Sequence, residues 1–403
     1  MNTSLLRTAI PLGLICVTGP FAVDMYLPVL PAIEEALETS VSGAQATLIA
    51  YFLAYGVCQL IYGPLADQLG RKKTLLIGML IFAAGGLVCA AAPSIEFLVF
   101  GRFIQGVGGA AVMVVPRAMV RDMYTGVMAT RLMATIMLVI SVSPMLAPLA
   151  GSAVTAFGSW REIFLVLSAF AIVSLIMALT VLPETLSAER RRKVNVAELT
   201  RSCGILFRDP VFVGLTLIAG FGMSSFFLFI ASASFVYTGQ FGLTPTQFSL
   251  AFAFNAVGFF VATQMAGTLA DRWSLPTLIL RGVTGFAVMA LTTLLLVAMG
   301  VVNMWVLLVG LFLTYACLGV VIPSAMVVAL DAHGARAGMA SSLSGSMTML
   351  TASAAIGISS PFFNGTALPM VTGIAACSVA ALTLALFTMP RLRRQQAELA
   401  LAA

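Results

Sequence analysis

The sequence is poor in charge and close to devoid of histidine. Only 9% of its 403 residues are Asp, Glu, Lys or Arg, whereas 60% are apolar; a soluble domain carries about a quarter charged residues. Such a chain cannot cover itself with a water-compatible surface, which excludes a soluble fold. One histidine, His333, and six cysteines with no CxxC pair among them supply neither a metal cluster nor a disulfide framework. No metal is therefore expected. A Walker loop, a nucleophile–His pair and a polar stretch of domain size are also missing, so an enzyme or a membrane sensor is the weaker expectation.

What the chain has in abundance is apolar runs long enough to cross a bilayer, which takes about 20 residues each. They fall near 9–33, 44–66, 74–92, 95–119, 131–153, 163–183, 211–235, 247–270, 276–299, 303–328, 337–361 and 367–389. The runs do not alternate in polarity, so they predict twelve helices and not barrel strands. The first run is too long for a signal-peptide core and contains Asp24, so a cleaved leader is not expected.

The net charge of +6 is a topology signal. Arg7, Arg71, Lys72, Lys73, Arg117, Arg121, Arg131, the run Arg190–Lys193, Arg201, Arg208, Arg272, Arg281, Arg336, Arg391, Arg393 and Arg394 all map to the side shared by both termini. Arg161 alone sits in an opposite-side loop, and Arg102 alone is placed inside a span. Positive loops stay in the cytoplasm, so both termini are expected there, and no nucleic-acid partner is implied.

The longest polar interval, within "PETLSAERRRKVNVAELTRSCGILFRDP", divides the spans six and six. The expected organisation is a six-helix bundle over 1–184, a cytoplasmic linker over 185–209, a second bundle over 210–390 and a tail over 391–403. A short repeat supports two related halves: "GPLADQLGRKKTLLIG" from Gly63 and "GTLADRWSLPTLILRG" from Gly267, each after the second span of its half. Internal repeats of this kind are expected where two bundles rock about a central site.

In the first copy, Gly63 and Gly70 permit a tight turn, Asp67 closes a helix end, and Arg71, Lys72 and Lys73 can pair with that acid or with lipid headgroups. The stretch resembles the cytoplasmic loop signature of the major facilitator superfamily on Gly63, Leu65, Ala66, Asp67, Gly70, Arg71 and Lys72. That resemblance implies a gating latch. "RFIQGVGGAAVM" places Arg102, Gln105, Gly106, Gly109 and Met113 along one helical face. It resembles a second signature of the superfamily, and the following "VRDMY" resembles its continuation in bacterial drug exporters. The glycines there suit close helix contact, and with no strand before "GVGGAA" a dinucleotide site is rejected.

Arg102 either snorkels to the outer interface or serves a functional or ion-paired role. Asp24 lies at a similar depth in the first span, so the two could meet across neighbouring helices. Pro28 cannot bond the carbonyl of residue 24, and Pro31 frees that of Leu27, so a bend is expected near mid-membrane. Freed carbonyls and a carboxylate survive there only against protein or a water-lined cavity. Desolvation and a nearby guanidinium act oppositely on such a carboxyl, which could leave it able to take and release protons. The alternative is a purely structural acid.

In "SVSPMLAPLAGS", Pro144 and Pro148 bend the fifth span, with Gly151 beyond them. The stretch resembles the antiporter signature of the superfamily on Pro148, Gly151 and Ser152, with Ala147 and Ser152 standing where that family usually has Gly. The second half has no charge inside its spans; its handles are Asn255, Gln264, Tyr315 and a Ser/Thr-rich run from Ser341 to Ser353, beside the aromatics Phe226, Phe227 and Phe229. Tyr26, Gln105, Asn255 and Phe227 are the candidate substrate-cavity residues. One acid among otherwise neutral walls suits lipophilic, weakly polar cargo.

The expectation is an all-α membrane protein of two pseudo-symmetric six-helix bundles. It resembles the bicyclomycin and chloramphenicol/florfenicol resistance exporters of the superfamily's drug:proton antiporter branch. The resemblance implies a monomer of the bacterial cytoplasmic membrane, in contact with lipid, small-molecule substrate and protons. It is driven by a proton gradient through Asp24 and Arg102, without a cofactor. An importer or facilitator of a metabolite on the same scaffold is the alternative.

Overall fold

The computed structural model describes residues 3–124, 126–191 and 193–402, the side chains of 3–9, 126–127, 129–131, 134, 335 and 396–402 apart. Arg7 and Arg131, counted with the cytoplasmic positives, lie outside the described side chains, and Arg192 lies outside the described residues.

The described chain is helical, with no strand, as a lipid-embedded backbone requires when no water can satisfy its amides. The helices are α1 Thr3–Asp24, α2 Leu30–Ala36, α3 Val41–Leu69, α4 Arg71–Ala90, α5 Ile95–Met123, α6 Gly126–Thr155 and α7 Trp160–Val181. They continue as α8 Val196–Arg208, α9 Pro210–Phe235, α10 Pro245–Ala270, α11 Leu275–Ala298, α12 Met304–Asp331, α13 Ala337–Ser359 and α14 Ala367–Ala402. Local chemistry sets several starts. Ser40, Ser94, Asp209 and Asn303 accept from backbone amides at the first turns of α3, α5, α9 and α12, and Ser159 with Glu162 forms a capping box at α7.

Eleven segments of the described chain are long and apolar enough to cross a membrane. The helix in the remaining expected place, α13, has the length at 23 residues, but eight of them are Ser or Thr, which makes it the least apolar of the twelve. Four of these serines and threonines return their hydroxyls to the helix backbone, Thr348 to Ser344 O at 2.9 Å, Thr351 to Met347 O at 2.6 Å, Ser353 to Met349 O at 2.9 Å and Ser359 to Ile356 O at 3.1 Å.

Two compact units divide the chain: Met1–Val196 with Pro245–Leu250, and Ala197–Thr244 with Ala251–Ala403. Each is built on the same pairings. In the first unit α4 packs on α5 and α7, and α1 packs on α5, α6 and α7. In the second, α11 packs on α12 and α14, and α9 packs on α12, α13 and α14. Counting spans within each half, these are the same five partnerships. Glycines carry the matching close approaches: a Cβ on Gly106 of α5 would run into the Tyr51 carbonyl of α3, and one on Gly319 of α12 into the Phe259 carbonyl of α10.

One expectation needs correction here. The first span is broken, not merely bent: α1 ends at Asp24, Leu27–Val29 form a 3-10 turn, and α2 starts at Leu30. Pro28 removes the donor to the carbonyl of Asp24, and Pro31 sits at the first turn of α2, where its missing N–H costs no helical bond, so the two prolines flank the break.

Candidate functional site

The break in α1 builds the site. Met25 N still bonds Phe21 O at 3.0 Å, but Tyr26 N turns to Val23 O at 3.3 Å. The Ala22 carbonyl is thereby released from the helix ladder. Asp24, the last residue of α1, is 4% exposed, and among the described residues no hydrogen bond or ion pair reaches its carboxylate.

Arg102, on α5, is completely buried. Its Nη1 donates to Ala22 O at 3.0 Å and to Gln105 Oε1 at 2.6 Å. Its guanidinium lies over the rings of Tyr51 at 4.4 Å, Tyr26 at 4.9 Å and Phe164 at 5.9 Å. Nε and Nη2 have no acceptor and are held against these π faces, which attract a desolvated cation. The rings are fixed in turn. Thr47 gives its proton to Ala44 O at 2.6 Å, so Tyr26 is the donor in its 2.9 Å bond to Thr47; Tyr51 donates to Gly19 O at 3.3 Å.

Two sequence expectations change. Arg102 does not snorkel, and it does not pair with Asp24; the carbonyl freed by the helix break takes the place of the carboxylate. Tyr26 and Gln105, expected at the substrate cavity, are fully buried around the guanidinium. Tyr51 stacks on the Arg102 guanidinium at 4.4 Å, and no salt bridge joins Arg102 to Asp24 among the described residues.

The second unit repeats the arrangement without charge. Tyr315 stands four residues before Gly319, as Arg102 stands four before Gly106, and its hydroxyl donates at 3.2 Å to Ser225 O on α9. Phe226 and Phe229 pack on its ring at 5.3 and 5.5 Å. Each unit thus ties its fourth span to a carbonyl of its first. Asn255 is fully buried, with its Nδ2 on Ala251 O at 3.3 Å and its side chain against Tyr237. Phe227 is buried beside Phe226.

At the other end of the first unit, Arg71 organises a charged knot. Nη1 meets Asp67 Oδ1 at 2.6 Å and Nε meets Asp122 Oδ2 at 2.9 Å, an oxygen that also accepts from Thr185 at 3.2 Å. Glu184 accepts from the backbone amides of Arg71 at 2.9 Å and Lys72 at 3.3 Å, so the last residue of the expected first bundle caps the positive end of α4. Lys72 Nζ donates to Leu179 O at 2.8 Å. Gly70 makes the turn at φ +96°, where a Cβ would strike the Glu184 carboxylate. Gly63 does not form this turn: it lies inside α3, which continues through Pro64 to Leu69. The second copy of the repeat keeps the position but not the knot, since Asp271 makes no ion pair among the described residues.

Pro144 and Pro148 lie within α6. Gly151 touches the break in α1: a Cβ there would run into the Met25 carbonyl. Among the described residues no three potential metal ligands converge, and all six cysteines are free.

Sequence reasoning missed two residues. Glu184 was given no role at the end of the first bundle. Arg117 was pooled with the cytoplasmic positives although the expected span 95–119 contains it, and α5 places it inside a span, on the face that carries Arg102, Gly106, Gly109 and Met113. The same spacing extended by one turn would have found it.

Comparisons with known proteins agree with this architecture. A family model described as Major Facilitator Superfamily matches residues 12–357. A bicyclomycin resistance protein homolog of Haemophilus influenzae is 30% identical over 370 residues, 91% of this chain and 92% of that protein. A chloramphenicol resistance protein of Pseudomonas aeruginosa is 32% identical over 298 residues, 72% of this chain and 69% of that one. The crystal structure of a D-xylose-proton symporter superposes with a TM-score of 0.75 at 15% identity, covering 96% of this chain and 97% of that one, a likeness of fold alone.

Proposed function

The chain belongs to the Major Facilitator Superfamily and is a multi-pass membrane transporter, not an enzyme; from that premise we propose that it exports small lipophilic compounds in exchange for protons. The export crosses the bacterial cytoplasmic membrane, with both termini in the cytoplasm, by alternating access. The proton gradient is the energy source, and no cofactor takes part.

The observation that carries this reading is Asp24. Among the described residues it is the one carboxylate buried midway along a span, it sits on a helix break, and no cation pairs with it. A carboxylate in that position is costly when ionised and without a fixed partner. It therefore gains from taking up a proton when its surroundings close and gives one up when water reaches it. Arg102, anchored by Ala22 O, keeps the break in place beside it. The relatives at about 30% identity are named for resistance to bicyclomycin and chloramphenicol, which favours drug-like cargo over sugars.

The test is expression in a pump-deficient bacterium against phenicols, bicyclomycin and lipophilic cations, followed by flux in everted vesicles under an imposed pH gradient. Accumulation of drug inside acidified everted vesicles is expected. Movement of the compound in the same direction as the protons would identify the importer instead.

A further inference from the structure

Arg117 is a second arginine inside a span of the first unit, and none of the features above uses it. It lies six residues before the end of α5, about 9 Å along the axis, and fifteen residues or about 22 Å from Arg102 on the same face. Its guanidinium does not reach toward the nearby helix end. Nη2 points back one turn to the Met113 sulfur at 3.2 Å, away from the cytoplasmic surface, so snorkelling does not explain it. Thioether sulfur is a weak acceptor. Nε is buried and has no acceptor.

The groups that could neutralise Arg117 are engaged elsewhere or neutral. Asp122, one turn on, is held by Arg71 and Thr185. Tyr55 and the thiol of Cys16 lie within electrostatic reach of Arg117 and, being neutral, do not offset its charge. Among the described residues no ion pair forms at Arg117, and the side chain stays partly exposed. A cation fixed inside a span, turned inward, with a vacant donor and only sulfur opposite it, is an incomplete site.

Resting on the export reading, we infer that Arg117 is a specificity-determining residue that receives an acceptor oxygen of an otherwise apolar cargo, such as a carboxylate, nitro or amide oxygen, in place of the Met113 sulfur. The planar fork suits such oxygens, which it binds through two parallel donors. Arg102 and Arg117 both place positive charge on this face of α5, which disfavours a cationic cargo beside it. Lipophilic molecules rich in acceptor oxygen, neutral or anionic, are the cargo class that fits.

The test is equilibrium binding to the purified full chain in lipid nanodiscs, without any gradient. The probes are radiolabelled chloramphenicol, a neutral acceptor-rich molecule, fusidate, a lipophilic carboxylate, and tetraphenylphosphonium, a lipophilic cation. The wild-type chain should bind the first two more tightly than the third. Arg117→Gln should weaken the first two at least tenfold without weakening the third, and Arg117→Lys should fall between. The inference is overturned by equal binding to wild type and Arg117→Gln, by absence of binding of both oxygen-bearing probes to wild type, or by preference for the cation. It is also overturned if Arg117→Gln and Arg117→Lys both lose their unfolding transition, which would mark a scaffold role. A chain that binds as expected but shows no proton-driven flux keeps this inference and loses the antiport reading.

Discussion

Arg102 gives its hydrogen bond to the Ala22 carbonyl, 3.0 Å away, and not to the carboxylate two residues further along the same segment. The acceptor exists because the helix stops at Asp24. A charge-assisted bond of this kind contributes about 1.5–3 kcal/mol, and the stacked rings add about 0.5–2 kcal/mol. Arg102→Lys keeps the charge but loses the fork that spans Ala22 and Gln105, whereas Arg102→Met removes the charge and its desolvation together. Unfolding temperatures of the detergent-purified variants should therefore rank wild type above Met and Met above Lys.

Tyr315 supplies the corresponding tie in the second unit with a neutral hydroxyl. Tyr315→Phe keeps the aromatic cluster and loses one buried hydrogen bond, leaving Ser225 O without this donor. A loss of about 1 kcal/mol is expected, read as a small downward shift in thermal unfolding. A shift as large as that of Arg102→Lys would mean that the two ties are not comparable in strength.

Gly151 lets α6 lie directly on the Met25 carbonyl. Gly151→Ala places a methyl against backbone that cannot rotate away, an overpacking cost of about 1–3 kcal/mol. The strain falls on the break that holds Asp24. Transport should drop well before the protein unfolds, whereas Ser152→Ala, one residue on, should be mild in both assays.

The architecture was legible because bilayer thickness acts on sequence directly: run length gives the spans. Pro28 and Pro31 announced a disturbance, but whether two prolines bend or break a helix depends on what accepts the freed groups, and that acceptor chemistry is tertiary. The same reason hid the partner of Arg102. A backbone carbonyl has no residue type, so no motif can reveal it, and the acid two positions away was the visible candidate. Glu184 was lost because its role is to meet the amides of Arg71 and Lys72, more than a hundred residues earlier. Arg117 was readable and was misassigned, since the rule that places positive residues in cytoplasmic loops was applied to a residue still inside its helix.

The charged knot at Arg71 makes a separable prediction. Gly70→Ala forces a side chain into φ +96° and into the Glu184 carboxylate; backbone strain of this sort costs about 1–3 kcal/mol. Glu184→Gln should cost less, about 0.5–2 kcal/mol, because an amide oxygen still accepts at the start of α4 without the charge. If the knot acts as a latch, both substitutions raise proteolytic cleavage after the arginines of 190–193 in membranes. Unchanged cleavage in Gly70→Ala would leave the knot a static anchor.

The central claim is that Asp24 exchanges its proton for cargo, and the most direct test compares two fluxes in proteoliposomes reconstituted with wild type and Asp24→Asn. One flux is uphill movement of radiolabelled chloramphenicol driven by a pH gradient; the other is its downhill exchange against unlabelled compound with no gradient. Asp24→Asn should lose uphill movement by more than tenfold while keeping exchange within a few-fold of wild type. Undiminished gradient-driven movement by Asp24→Asn would contradict the claim.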